Sequence, residues 1–432
     1  MPETINTGDT AWTLMSAALV MFMTIGLGVF YAGLVRAKNS LNTFMMCVAA
    51  LAVVTVSWSL IGYSLAFGDG SGFIGNFDYV ALKDVGFEPY GEQTVPHMVF
   101  FVFQATFCIL TAALVSGAVV ERMRFLPYLG FIALWSILIY PVMAHWVFGG
   151  GFLQENGTLD FAGGVPVEMG SGFTALAAAI VVGRRMDYGR RAPLLPHSTP
   201  LVLLGAGILW FGWFGFNGGS GIGTNQNGVL AFVNTLLTPA VCLLTWFMLD
   251  LIRGRKVTAV GAATAIIVGC VGITPAGGFV SPGWAMALGV IVAIPSYLLI
   301  VWRPRTRVDE TLDVLAAHGL AGFVGILFIG FVAQADWNGI SDGLLYGESA
   351  LLGDQALAAL VAPLYAFGAT FVLLKLMSFG FRLRVTEREE AIGLDVTQHG
   401  EEAYISGEGA ILIEPHESDQ RGQRVLAGEA AV

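Results

Sequence analysis

The fold class of this chain follows from two segments, LDFAGGVPVEMGSGFTALAAA (159–179) and DVLAAHGLAGFVG (313–325). Both are apolar and rich in glycine and alanine, as expected of helices that cross a membrane. Each nevertheless contains a side chain that can exchange a proton, Glu168 in the first and His318 in the second. Ionisable groups at membrane depth are costly and are therefore candidates for function. The stretches predict two membrane helices, one with a functional acid and one with a functional histidine.

An acidic residue precedes each of these side chains by the same interval. Asp160 lies eight residues before Glu168, and Glu310 lies eight residues before His318. Such matched positions are typical of inverted repeats around a site at the membrane midplane, although two equal spacings also arise by chance. An acid at a helix start has a structural explanation as well, because it accepts backbone N–H hydrogen bonds and suits the helix dipole.

The composition of the whole chain indicates a membrane protein. Of the 432 residues, 56% are hydrophobic and 12% are charged, and the mean hydropathy is +0.73. Soluble domains carry about 25% charged residues, so a soluble multidomain protein is excluded. The net charge of −10 argues against nucleic-acid binding, which needs a basic face. The four cysteines lie in apolar blocks without metal-ligand spacing, and we expect neither a metal site nor a cofactor.

Apolar blocks of roughly 20 residues, the length that crosses a bilayer core, predict an all-α membrane protein with eleven transmembrane helices. We interpret these helices as an inverted five-plus-five repeat plus one long final helix. Three parts follow: an outer N-terminus (1–10), a membrane domain (11–380) and a cytoplasmic C-terminal regulatory tail (381–432). The predicted spans are 11–34, 41–67, 96–120, 125–147, 162–183, 200–217, 227–252, 257–275, 283–302, 314–334 and 354–380.

The basic residues test this count of spans. Alternate short loops hold 14 of the 21 lysines and arginines, whereas the opposite loops hold only Lys83. Basic loops stay on the cytoplasmic side of a membrane. We therefore expect the N-terminus outside and the C-terminus inside. The fourteen residues are Arg36, Lys38, Arg122, Arg124, Arg184, Arg185, Arg190, Arg191, Arg253, Arg255, Lys256, Arg303, Arg305 and Arg307.

The residue types at the predicted membrane depth suggest transport rather than catalysis. A Glu168–His318 pair in a dry lumen acts as a proton relay, because burial brings both groups into range of proton exchange near neutral pH; a fixed ion pair and a satisfied core histidine are the alternatives. The aromatic runs FFVFQATF (100–107) and LWFGWFGFNGGS (209–220) either pack the fold or form a cation–π vestibule for a small ammonium-type cation. The chain has no HExxH, GxSxG or Walker motif, so we do not expect this protein to be an enzyme.

Eight motifs in order give the chain a close resemblance to the ammonium transporter family (Amt/Mep/Rh), on the Amt side. The resemblance covers about residues 10–404. Each motif is weak alone, but their order and the matching topology make the resemblance specific. The motifs are FYAGLVRAKN (30–39), GYSLAFGDG (62–70), AHWVFGGG (144–151), LDFAGG (159–164), GWFGFNGGS (212–220), GITPAGGF (272–279), DVLAAHG (313–319) and GLDVTQHGEEAY (393–404).

The resemblance implies an outer ammonium site made of an aromatic cage and a serine. The matching positions are Phe107, Phe148 and Ser220, with Phe103 alongside. The family is expected to have Trp where this chain has Phe148, so the cage loses an indole N–H and some of the attraction for a cation. The resemblance also implies an acid below the outer site that orders it, which corresponds to Asp160.

The resemblance further implies two stacked phenylalanines that close the pore and two histidines in the lumen. The phenylalanines correspond to Phe107 and Phe216, and the second histidine to His318. The first histidine is replaced by Glu168, as it is in some fungal members that this chain resembles. Ammonium would lose a proton on leaving the outer site, ammonia would cross the apolar lumen, and the proton would move along Glu168 and His318.

The remaining implications concern assembly, regulation and location. The resemblance implies a homotrimer with one pore per subunit in the cell (inner or plasma) membrane. The tail motif, with Gly393 and Asp395 at the matched positions, implies a PII-type regulatory partner at the cytoplasmic face; a tail that only stabilises the trimer is the alternative. Some family members act as ammonium sensors with little flux, and that function is the alternative to transport.

Overall fold

The computed structural model describes residues 4–189 and 195–404. Two of the predicted cytoplasmic basic residues, Arg190 and Arg191, and the end of the predicted tail (405–432) lie outside the described residues. Within the described part the chain is helical and has no strand, only two isolated bridging residue pairs. Eleven main segments are labelled in chain order: α1 (Thr7–Leu34), α2 (Ala37–Phe67), α3 (His97–Val119), α4 (Phe125–Glu155), α5 (Gly164–Val182), α6 (Thr199–Gly219), α7 (Gln226–Ile252), α8 (Ala259–Ile273), α9 (Pro282–Arg305), α10 (Leu315–Val332) and α11 (Ala350–Gly380).

Ten of these segments are long and apolar enough to cross a membrane. The exception is α8, which has 15 helical residues and reaches about 22 Å at 1.5 Å per residue, less than the roughly 30 Å of a bilayer core. Its apolar sequence continues into the turns after Ile273. The structure therefore supports ten spans by length and composition, and the predicted eleventh depends on how α8 and these turns lie in the bilayer.

Short helices fill the connections and begin the tail. Val80–Leu82 lies between α2 and α3, and Ala335–Asn338 and Leu344–Tyr346 lie between α10 and α11. In the tail, Glu387–Ile392 forms a short α-helix whose first turn is closed by a capping box, and Asp395–His399 forms a π-helical turn.

Glycines allow the first helices of the two predicted repeats to pack tightly. A Cβ atom at Gly205 of α6 would lie 2.4 Å from the backbone N of Phe30 in α1. A Cβ atom at Gly33 of α1 would lie 2.8 Å from the backbone N of Val202 in α6. Small residues give membrane helices this close approach. The α1–α6 contact is therefore made backbone to backbone.

Several of the predicted cytoplasmic loops meet in one buried ion cluster. Glu121, after α3, pairs with Arg36 at 2.8 Å and with Arg185 at 2.9 Å, and Arg185 also pairs with Asp309 at 2.8 Å. Burial alone would raise the pKa of the Glu121 carboxyl, but its two arginine partners hold that pKa at about 2. The loops after α1, α3 and α5 therefore lie on the same face of the molecule as the segment before α10.

Candidate functional site

A narrow apolar cavity lies between the helices near their centre. Its volume is about 10 Å³, close to the minimum that holds one water molecule. Only two of its lining residues, Glu168 and His318, can titrate. The other lining residues are Met23, Leu27, Phe30, Leu110, Leu114, Val167, Leu209, Trp213 and Ile267. A full charge in such a space would lose most of its hydration, at a cost of several kcal/mol.

The two titratable side chains of the cavity are hydrogen-bonded to each other. His318 Nδ1 lies 2.8 Å from Glu168 Oε2, and both side chains are buried. The other carboxylate oxygen, Glu168 Oε1, is buried and has no hydrogen-bond partner within the described residues. The residues are 150 positions apart in the chain. The fold thus forms one acid–base pair from the two stretches that carry the candidate residues.

Matching backbone turns present the two members of the pair. Glu168 lies in a π-helical turn, Gly164–Met169, and His318 lies in a second one, Leu315–Leu320. Such turns are rare, and they are frequent at functional sites. Each continues directly into the rest of its helix, so the pair is held by the two helix starts rather than by loops.

The acids that precede these turns cap them. Asp160 Oδ1 accepts hydrogen bonds from the backbone N–H groups of Gly163 and Gly164, and its Oδ2 accepts one from Val165, at 2.7–3.0 Å. Glu310 Oε1 accepts from Val314 N at 2.9 Å. The structural explanation of an acid at a helix start is therefore confirmed for Asp160, and Glu310 plays the corresponding part at α10.

The crossing of α5 and α10 brings Glu168 and His318 within reach of each other. A Cβ atom at Gly172 would lie 2.3 Å from the backbone of Gly319, and one at Gly322 would lie 2.5 Å from Glu168 Cβ. No larger residue fits at either position unless the helices separate. The glycines that enrich these stretches therefore set the distance between the acid and the base.

Two further residues lie next to the pair, and the sequence did not predict that either of them would be there. Trp213 lies parallel to His318, with ring centroids 6.5 Å apart and an interplanar angle of 20°. Its indole N–H donates to Thr274 Oγ1 at 2.9 Å. Thr274 Oγ1 donates to Cys270 O at 2.9 Å and lies beside the Glu168 carboxyl group. Thr274 is the polar residue of the GITPAGGF motif, which was a signal of its importance, but the motif does not indicate which side chains it contacts.

Part of the predicted outer site assembles around three phenylalanines and a serine. The rings of Phe107 and Phe216 are 4.1 Å apart with 30° between their planes, and Phe103 lies 4.8 Å from Phe107. Ser220 Oγ donates to Phe216 O at 2.8 Å. Because its proton is committed to that carbonyl, the Ser220 oxygen is free to accept a hydrogen bond.

Phe148 and Asp160 are not joined to this group by ring contacts or hydrogen bonds within the described residues. Phe148 ends a helical stretch, Tyr140–Phe148, and packs half-buried against the core. Trp146 does not take its place, because its indole N–H donates to Phe73 O at 3.0 Å and its ring packs on Phe73 and Tyr365. Any part that Asp160 plays at the outer site is indirect, through the backbone that it caps.

The tail motif docks on the face that carries the ion cluster. Both carboxylate oxygens of Asp395 accept backbone hydrogen bonds at the start of α2, from Leu41 at 3.0 Å and from Asn42 at 2.7 Å. Gly393 has a φ of 123°, and a Cβ atom there would lie 2.6 Å from Lys38 O. Only glycine combines this conformation with this contact. The tail segment is therefore attached to the membrane helices.

The fold and the buried pair define a multi-pass membrane protein with an apolar lumen. Comparison with known proteins shows the family to which it belongs. The chain belongs to the ammonium transporter family: the model of the Ammonium Transporter Family matches residues 11–404. It is 41% identical over 400 residues to an ammonium transporter of Bacillus subtilis, covering 92% of this chain and 98% of that protein. A second relative, from Aquifex aeolicus, is 42% identical over 405 residues, covering 93% of this chain and 94% of the relative.

Solved structures show the same architecture. The crystal structure of Candida albicans Mep2 superimposes with a TM-score of 0.85 at 35% sequence identity, covering 90% of this chain and 88% of that chain. A structure described as a sensor Amt protein superimposes with a TM-score of 0.85 at 30% identity, covering 91% and 98% of the two chains. The prediction of an ammonium transporter family member is confirmed.

Proposed function

We propose that this protein takes up ammonium by separating it into ammonia and a proton that cross the membrane by different paths. The observation that carries the proposal is the hydrogen-bonded Glu168–His318 pair lining an otherwise apolar cavity. Ammonium and potassium ions are similar in size, so radius cannot separate them. Ammonium differs in having N–H donors and a removable proton, and the pair is equipped for that proton.

The outer step uses the phenylalanine and serine group. Phe103 and Phe107 present aromatic faces that attract a cation, Phe148 adds a third face from outside their ring contacts, and Ser220 accepts a hydrogen bond from ammonium. Phe107 and Phe216, only 4.1 Å apart, form the gate that opens for the molecule to pass. Asp160 supports this end of the pore by fixing the backbone before α5.

The inner step separates the charge. Ammonium gives up its proton to the Glu168–His318 pair as it reaches the cavity, because the cavity is too small and too apolar to solvate the ion. Ammonia moves past Phe216, while the proton moves between Glu168 and His318 and rejoins ammonia on the cytoplasmic side. Transport by this route is electrogenic, since each ammonia is accompanied by one proton charge.

Ammonium jumps on proteoliposomes test the relay. The wild type is expected to give a saturable current with ammonium and none with potassium. Glu168→Gln preserves a hydrogen bond to His318 but cannot carry the proton as an acid, so we expect the current to fall at least tenfold, as in His318→Ala. Asp250→Asn is the matched control, because it changes a buried acid that binds Tyr297 outside the cavity. Unchanged current and unchanged selectivity in both relay variants would refute the relay.

A second variant separates the relay from the outer site. Glu168→His restores the pair of histidines that the resemblance implies. We expect the maximal flux to change more than the apparent affinity, because the outer group is untouched. Equal changes in both quantities would contradict a role confined to the lumen.

An ammonium sensor is the second candidate function, favoured by the superposition on the sensor Amt protein. Binding of ammonium without current and without a change of internal pH would support the sensor. A change of internal pH without current would instead indicate conduction of neutral ammonia.

Topology and assembly complete the proposal. The protein has eleven spans in an inverted five-plus-five repeat with α11 as the final helix, the N-terminus outside, and the membrane domain at 11–380 between the outer N-terminus (1–10) and the tail (381–432). It forms a homotrimer in the cell membrane. The docking of Gly393 and Asp395 on the start of α2 supports a tail that reports to a PII-type partner at the cytoplasmic face. Labelling of cysteines introduced at Lys83 and Arg255, from each side of sealed vesicles, tests the orientation.

A further inference from the structure

A cavity unconnected with the lumen lies where α4 begins and α11 ends. It has a volume of about 440 Å³, which is in the range of ligand sites. Residues of α4, of the end of α11 and of the docked tail all line it. The residues that matter for its chemistry are Arg124, Leu126, Met377, Phe381, Arg382 and Gln398.

Two arginines give this cavity its charge. The nearest carboxylate to Arg124 is that of Glu389, at 3.9 Å, and Glu389 Oε2 already accepts hydrogen bonds from Thr386 N and Oγ1 at 2.7 and 2.8 Å. Arg382 forms no ion pair and no side-chain hydrogen bond within residues 4–189 and 195–404. Both guanidinium groups therefore keep donors for an anion, and guanidinium geometry suits phosphate.

The surroundings of the arginines are apolar and face outward. Leu126 is 76% exposed, Phe381 is 62% exposed and Phe379, next to the cavity, is 87% exposed. In water these side chains would form an unfavourable patch. They lie at the ends of two membrane-spanning helices, at the depth where acyl chains meet lipid headgroups. A free anion would satisfy the arginines but would leave these apolar groups uncovered.

We propose that this cavity binds an anionic phospholipid, with its phosphate on Arg124 and Arg382 and its acyl chains over Leu126 and Phe381. Gln398 of the tail lines the same cavity, and its Oε1 accepts a hydrogen bond from Phe125 N at 3.2 Å. A lipid bound here touches α4, α11 and the tail together. It therefore holds the tail segment against the membrane helices.

Lipid titration of the purified full-length protein, followed by native mass spectrometry, tests the proposal. The probes are phosphatidylglycerol, phosphatidylcholine and soluble glycerol phosphate. A basic residue near an anionic lipid contributes about 1 kcal/mol, so Arg124→Gln with Arg382→Gln is expected to weaken phosphatidylglycerol binding roughly 30-fold and to leave phosphatidylcholine binding unchanged. The matched control, Arg255→Gln with Lys256→Gln, removes two charges from an exposed loop and is expected to bind like the wild type.

Two outcomes would overturn the proposal. Equal losses in the two double variants would mean that binding follows net charge alone. Glycerol phosphate binding as tight as phosphatidylglycerol binding would mean a site for soluble anions. If the glutamine variant fails to fold, Arg124→Lys with Arg382→Lys keeps both charges and is expected to lose only part of the affinity, since lysine cannot bind phosphate in the bidentate way.

Discussion

Asp160 precedes α5 in the same way that Glu310 precedes α10. Each carboxylate accepts hydrogen bonds from the N–H groups that open its helix, and each lies eight residues before the side chain that reaches the lumen. The side chains differ, because one start presents the acid Glu168 and the other the base His318. Two helix starts with the same backbone arrangement therefore place different chemistry on either side of one cavity.

The third residue after each acid has a left-handed backbone conformation in both helix starts. Gly163 has a φ of 104° and Asp313 a φ of 59°, so both turns need a left-handed residue. Glycine adopts such a conformation freely, and aspartate is among the residues that tolerate it. Asp313 also forms an ion pair with Arg303, which is a local bond that Gly163 cannot make. The α10 start is thus tied to the end of α9, whereas the α5 start depends on Asp160.

The largest expected effect comes from removing the caps. Asp160→Ala leaves three buried N–H groups unpaired and is expected to destabilise the protein by roughly 4 kcal/mol, whereas Glu310→Ala is expected to cost roughly 2 kcal/mol. Thermal unfolding in detergent measures both, with Asp160→Asn as the control that keeps one acceptor. A larger loss in Glu310→Ala than in Asp160→Ala would reverse the comparison.

The pH dependence of stability also distinguishes the two helix starts. Burial raises the pKa of Asp160 to about 6, above its ordinary value of 3.8, although three N–H groups oppose the shift. A raised pKa in the folded state gives stability that is complete below about pH 3.8 and is lost as the pH rises through about 6. Asp160 then accounts for up to roughly 3 kcal/mol of that loss. The wild type should lose more stability between pH 4 and 7 than Asp160→Asn, and parallel curves would contradict this assignment.

The next largest effect on stability is expected from substitutions of the glycines where α5 and α10 cross. Gly172→Ala and Gly322→Ala each place a Cβ atom against the other helix, at 2.3 and 2.5 Å. Each is expected to destabilise the protein by about 2–3 kcal/mol. Each should also lower the ammonium current, because it separates Glu168 from His318. Gly353→Ala in α11, where a Cβ atom meets nothing within 4 Å, is the control for helix propensity. Equal stability of all three variants would show that α5 and α10 do not pack closely at these glycines.

The smallest effect concerns Thr274, whose hydroxyl lies beside the Glu168 carboxyl group and accepts the indole N–H of Trp213, the residue stacked on His318. Thr274→Val removes the acceptor of that indole N–H, a hydrogen bond worth about 1 kcal/mol, and is expected to reduce the maximal ammonium current about fivefold, without a change in apparent affinity. Thr274→Ser keeps the hydroxyl and is expected to restore the current. The conservative variant distinguishes a positioning hydroxyl from simple packing, because a packing role would make the serine variant as poor as the valine variant.

The amino-acid sequence was enough to predict the membrane class, the positions of the proton-active side chains, and ten of the spans, whose ends agree to about four residues except at the end of α4, which extends to Glu155. These features are local: a run of apolar residues is buried in lipid wherever the rest of the chain lies, and an acid before a helix caps the residues that follow it. Asp160 and Glu310 were therefore predictable as pairs with Glu168 and His318. The family was readable from the order of eight short motifs.

Which of these residues contact each other depends on how the helices pack. The bond between Glu168 and His318 joins residues 150 positions apart and depends on two backbones crossing at Gly172 and Gly322. Hydropathy reports how deep a residue lies but not which neighbour it has. The same limit explains why Phe148 was placed with Phe107 from the motifs although no direct ring contact joins them. It also explains why the cavity at Arg124 and Arg382 could not be predicted from the sequence, since residues of α4, α11 and the tail line it together.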